Sequence, residues 1–129
     1  MMLDKNQTVE NVKNFFDNDY ATALDVSLMK PKEVLGYRVV TTGAKNSFFA
    51  KALSTIEAIN QAYDRLDEPD REIIREVYIL GKADHHLIKK FGVGRTKYYL
   101  VIKPRALLHF AATFENGRLL AAKKVDSVE

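Results

Sequence analysis

Apolar residues recur at three- and four-residue steps through most of this sequence. That spacing commits the chain to helices whose apolar stripes must be buried against one another. Val9, Val12, Phe15, Phe16, Tyr20 and Leu24 form the first stripe, over residues 8–24, with Thr8 as the expected N-cap. Phe49, Leu53, Ile56, Ile59, Tyr63 and Leu66 form the second, which Asn46 or Ser47 can cap. A third helix follows almost at once. Asp67 is its expected N-cap, Pro69 fits its first turn, and Asp70 suits the positive end of its dipole. Its buried face is Ile73, Ile74, Val77 and Tyr78, and Gly81 stops it after Leu80. Between the first two helices, Lys30 through Gly43 reads as irregular, with Tyr37, Val39 and Val40 as a short extended piece.

At 129 residues the chain is the size of one ordinary domain, long enough to bury a core without staples. It has no cysteine, which excludes a disulfide framework and a thiolate zinc site. No apolar run approaches the roughly 20 residues that span a bilayer. Met1 through Asn6 carries no hydrophobic signal core, so a cytoplasmic protein without a membrane partner is expected.

The net charge of +3 is too small to specify a partner, but its distribution is uneven. From Lys82 to Arg105 the basic residues are Lys82, Lys89, Lys90, Arg95, Lys97, Lys103 and Arg105, with Asp84 as the only acid. From Asp64 to Glu76 the balance reverses: Asp64, Asp67, Glu68, Asp70, Glu72 and Glu76 stand against Arg65, Arg71 and Arg75. A basic block beside an acidic one suits one face to an anionic polymer. A solvated helix surface would show the same pattern.

Residues 84–103 have the layout of a helix-turn-helix. Two short helices crossing steeply need a glycine in the turn and apolar residues at the contact. Leu87, Ile88 and Phe91 supply the first inner face, Gly92 the left-handed turn and Val93 the plug. Tyr98 and Val101 or Ile102 supply the second. Ile88 is larger than the small residue usual at its position. The other side of the second helix is left to Arg95, Thr96, Lys97, Tyr99, Leu100 and Lys103. Arginine can bond a guanine edge with two hydrogens, threonine and tyrosine reach phosphates or thymine methyls, and lysines neutralise phosphate. His85, His86, Lys89 and Lys90 lie on the first helix, where it would cross the DNA backbone. A plain corner of a helical bundle is the competing reading. Pro104 should kink or restart the second helix, which continues from Arg105 to Phe114 until Asn116-Gly117 stops it. The last dozen residues read as a frayed helix or a loose tail.

Other constellations carry less. Adjacent residues on a helix point about 100° apart, so His85 and His86 cannot chelate one ion, and no metal or cofactor is expected. Asp67, Glu68 and Asp70 sit where a helix start wants acids, which explains them without catalysis. Gly92 through Lys97 lacks the order of a phosphate loop and no strand precedes it. The pairs Phe15-Phe16 and Phe48-Phe49 suit a core or a subunit contact.

Several stretches together resemble the ArpU family of phage-encoded transcriptional regulators. They are Leu66 through Ile74, Tyr78, Leu87 through Val93, Arg95 through Tyr99, and Ala106 through Ala111. Thr8 to Phe16 and Asn46-Ser47-Phe48 with Lys51 extend the likeness upstream. The C-terminal half of that family is similar to the region of sigma factors that reads the −35 promoter element. The resemblance implies a (pro)phage regulator of late genes for packaging, virion structure and lysis, with the DNA-reading helix at 94–103. Gly94 stands where the family commonly has a capping serine, and Pro104 where it has a helix former.

The expectation is therefore an all-α protein: a helical region at 1–66, a sigma-like helix-turn-helix module at 67–114 and a tail at 115–129. It would bind double-stranded DNA and catalyse nothing, with host RNA polymerase and a second copy of the chain as further candidate partners. Two alternatives stand beside this: a small-terminase-like packaging protein, and an adaptor that binds polymerase through the acidic third helix without touching DNA.

Overall fold

The computed structural model of the chain describes residues 2–37 and 47–124, and these are mostly helical. Asp4, not Thr8, opens helix α1 (Lys5–Phe15): its Oδ1 accepts the Gln7 amide at 2.9 Å. Thr8 sits a turn further in and is fully buried. Its hydroxyl donates to the Asp4 carbonyl at 2.7 Å and accepts from the Ala121 amide at 3.0 Å, so the side chain ties two chain segments together. The rod continues through a π-helical stretch, Phe16–Tyr20, into α2 (Ala21–Ser27). Val12, Phe15, Phe16 and Tyr20 of the expected stripe are buried, and Val9 and Leu24 pack at its margin.

After α2, a short 3₁₀ turn (Pro31–Glu33) brings Val34 into the core. Buried Asn60 holds it there. Its amide donates to the Val34 carbonyl at 2.8 Å and its oxygen accepts the Gly36 amide at 2.7 Å. Tyr37 closes a turn onto Val34 at 3.2 Å; Val39 and Val40 lie outside the described residues.

Ser47 caps α3 (Phe48–Asp64), accepting the Ala50 amide at 3.0 Å. Leu53, Ile56, Ile59, Tyr63 and Leu66 are buried as the spacing requires, but Phe49 is 49% exposed. It stands on the first turn, ahead of the point where α3 meets the core at Ala52.

The next helix, α4 (Asp70–Ile73), starts on backbone bonds alone: the Asp67 carbonyl accepts from Arg71 and the Pro69 carbonyl from Ile73. The Asp67 side chain does not cap it. A π-helical stretch, Ile74–Ile79, prolongs α4 until Gly81, and Ile79 joins Ile73 and Ile74 inside while Val77 and Tyr78 are only partly covered. Then come α5 (His85–Phe91), α6 (Arg95–Lys97), a third π-helical stretch (Tyr98–Ile102) and α7 (Lys103–Thr113). Pro104 follows directly on the π-helical stretch, where the Lys103 amide donates to the Tyr98 carbonyl, and the helix continues through it.

Two clusters hold these elements. The larger joins α1, α2, α3 and α7 around Phe15, Phe16, Phe110 and Phe114; the Phe15 and Phe114 ring centres lie 4.6 Å apart. The smaller gathers Ile73, Leu87, Ile88, Tyr98, Ile102 and Ala106. Helix α7 serves both, giving Ala106 to one and Leu107, Phe110 and Ala111 to the other. Residues 118–124 are neither helix nor loose tail. Leu119 is buried, Leu3 pairs with Ala122 in an antiparallel bridge, and the Asp4 amide donates to the Ala121 carbonyl at 2.8 Å. No helix among the described residues is long and apolar enough to cross a membrane.

Phe110 is wholly buried among three other phenylalanine rings. Phe110→Ala should therefore lower the unfolding free energy by about 3–5 kcal/mol, read by urea denaturation. A change below about 1 kcal/mol would mean this ring is not central to the core.

Candidate nucleic-acid interface

The turn between α5 and α6 rests on Gly92, which takes φ 66° and ψ 35°. A Cβ there would meet no atom within 4 Å, so the cost of any L residue is conformational, about 1–2 kcal/mol. Val93 then packs partly inward, and Gly94 turns extended (φ −76°, ψ 159°) as the residue before α6. No side chain caps α6; the Gly94 carbonyl accepts the Tyr98 amide at 3.0 Å.

Tyr98 and Ile102 form the inner face of the second helix, and Val101, the alternative from spacing, is 48% exposed. The π-helical stretch explains the choice: a wider turn brings the residue four positions on, not three, back over Tyr98. Leu87 and Ile88 of α5 close the contact, and Phe91 borders it.

One carboxylate locks the arrangement. Asp84 Oδ1 accepts the Tyr98 hydroxyl at 2.6 Å, and Asp84 Oδ2 accepts Lys103 Nζ at 2.9 Å. Burial pushes the Tyr98 hydroxyl far above the ordinary tyrosine range, and the bond to Asp84 and its charge add to this, so Tyr98 stays a neutral donor. Lys103, expected at a DNA phosphate, is instead drawn inward: it pairs with Asp84, and its ammonium lies 5.5 Å from the Tyr78 ring centre.

The acidic segment takes up more of the basic block. Glu72 accepts Lys90 Nζ at 2.6 Å and Arg75 at 3.2 Å. Glu76 accepts Lys82 at 3.1 Å, Arg75 at 3.1 Å and His86 Nε2 at 3.2 Å. Burial raises the Glu76 carboxyl, but the bonds from Lys82 and Arg75, the Lys82 charge and the His86 bond outweigh it and hold the group below the usual glutamate range. Lys90, His86 and Lys103 are thus engaged within the molecule.

Arg95, Thr96, Lys97, Tyr99, Leu100, His85 and Lys89 remain on the surface. Lys89 and Lys97 pair with no acid among the described residues. Arg95 lies with its guanidinium 5.6 Å from the Tyr99 ring centre, which braces it over the helix. The exposed side therefore offers two cations, a hydroxyl, a phenol and aliphatic groups on one continuous helical face, with further basic groups on α5. That mixture can neutralise phosphates and hydrogen-bond base edges.

Among the described residues no group of three or more His, Asp or Glu could hold a metal ion. Asp70 stands in the first turn of α4, at the positive end of the helix as the sequence suggests, and has a second partner. It is buried, and its carboxylate meets His109 Nδ1 on α7, at the edge of a surface cavity of about 500 Å³ also lined by Arg65 and Arg105. Nothing in local spacing signals a contact between residues so distant in sequence.

Because the folded Glu76 carboxyl titrates below its unfolded value, its contribution to stability is full above the unfolded range. It is lost as pH falls through the depressed folded value. Glu76→Gln should therefore be less stable at neutral pH and lose less stability than the parent between about pH 5 and pH 3, measured by urea unfolding. Parallel stability curves for the two proteins would contradict this account of Glu76.

No protein-family model, curated protein or solved structure matches the chain.

Proposed function

We propose that the protein is a sequence-specific double-stranded DNA-binding regulator that reads the major groove with the helix opening at Arg95. The observation that carries this reading is the bare outer side of that helix. Its inner side is spent on Tyr98 and Ile102, while Arg95, Thr96, Lys97, Tyr99 and Leu100 are exposed, Tyr99 with its ring set edge-on to that of Tyr98. A helix, a left-handed glycine and a second helix follow one another in the order of a helix-turn-helix, whose second member would enter the groove while the first crosses the backbone. His85 and Lys89 on α5 then face flanking phosphates.

The resemblance to the ArpU family extends the proposal to a sigma-like module acting at a promoter of phage late genes, with no reaction catalysed. The adaptor alternative needs available carboxylates on the acidic helix. Glu72 and Glu76 are already engaged by Lys90, Arg75, Lys82 and His86, which leaves Asp67 and Glu68, just ahead of α4, as the exposed acids such a partner would have to use.

A duplex selected from a random pool by the full chain, compared with random duplex in gel shifts, tests the proposal. Arg95→Ala should cost on the order of 1–3 kcal/mol on the selected duplex and much less on random DNA, because a bidentate guanine contact is lost. Lys97→Ala should weaken both alike and reduce the salt slope by about one unit. Equal losses on the two duplexes for Arg95→Ala would overturn the base-reading role. Polymerase capture without any DNA shift would favour the adaptor, and a ring-shaped oligomer on sizing the packaging protein.

A further inference from the structure

The outer face of the reading helix is not uniformly polar. Leu100 is 72% exposed, Val101 48% and Tyr99 39%, three neighbouring side chains on the π-helical stretch. Leu100 lies four positions after Thr96 and three after Lys97, so it shares their side of the helix, opposite Tyr98 and Ile102. Neither core cluster takes in any of the three.

We infer that this apolar spot is a thymine reader: Leu100, flanked by Val101 and Tyr99, takes the 5-methyl group of a thymine in the major groove. The inference rests on the DNA-binding reading above and deepens it. The thymine methyl is the one apolar group that a base pair shows on its major-groove edge, so an exposed aliphatic group among groove-facing polar residues has a single complementary feature there. Charge selects the same occupant. The spot is bordered by Arg95 and Lys97, and the nearby acid, Asp84, is consumed by Tyr98 and Lys103.

A second copy of this chain fits less well. A two-fold contact centred on Leu100 would set Arg95 and Lys97 against their own copies, and like charges in a contact are repulsive. Three side chains also fall well short of the roughly 800 Å² per partner that a stable protein interface buries.

Deoxyuridine in place of thymine removes the methyl group and keeps base pairing, so it isolates the contact. With the full chain and the selected duplex, replacing one thymine at a time should weaken binding about fourfold at one or two positions, the value of one buried methyl group. The Leu100→Ala protein should bind the thymine and deoxyuridine duplexes equally. Leu100 is exposed, so circular dichroism should show an unchanged fold; the deoxyuridine series on the parent protein needs no variant at all. The inference is overturned if the parent binds both duplexes equally, or if Leu100→Ala keeps the difference. It is overturned too if the variant changes the oligomeric state without a thymine effect. Failure to bind any duplex would remove the DNA reading itself, whereas binding without a thymine effect removes only this contact.

Discussion

Phe110 stacks on Phe114 with ring centres 5.3 Å apart, and both face Phe15 across α1. This aromatic packing anchors α7, and everything at the candidate interface hangs from it. The rod that begins at Arg95 runs without a break through the third π-helical stretch into α7. Its far half is buried in the main core, and the near half contributes Tyr98 and Ile102 to the smaller one. A helix held on one side over such a length presents its other side in a fixed attitude. A backbone held in this way would keep the ordering cost of the proposed binding low, since the helix itself need not form when a partner arrives.

Charge is distributed to the same end. The acidic stretch from Glu72 to Glu76 faces α5 and occupies Lys90 and His86, so part of the basic block serves to dock one helix on another. Asp84 does the same for Lys103 and Tyr98. Ion pairs between partly exposed groups each add little to stability, but they assign positions: which lysines turn inward and which stay available. Arg95, Lys97 and Lys89 stay exposed, as the proposed DNA contact requires. Leu100, 72% exposed, interrupts that cationic face.

Much of this was legible from local rules. Spacing located the stripes from Val12 to Tyr20 and from Leu53 to Leu66, Ser47 declared its cap, and Gly92 declared its turn, because each depends on residues within a helical turn of one another. What escaped was either non-local or out of phase. Thr8 has the chemistry of a cap but answers to Ala121, a partner visible only once the chain has returned. The pairing of Leu3 with Ala122, and of Asp70 with His109, has the same origin. The choice between Val101 and Ile102 turned on a local widening of the helix that a regular 3.6-residue period does not contain. At the candidate site, residue types named the surface, but only tertiary packing separated Lys97, left free, from Lys103, drawn to Asp84.

The central claim is that one side of the helix from Arg95 to Val101 is the surface that meets DNA. Backbone amide shifts of the full chain, titrated with a short duplex at low salt, address it residue by residue. The account predicts the largest changes from Arg95 to Val101, with smaller ones near His85 and Lys89 and little change around Leu28 and Phe48. Changes centred on Leu28 and Phe48, or none anywhere at saturating duplex, would contradict it.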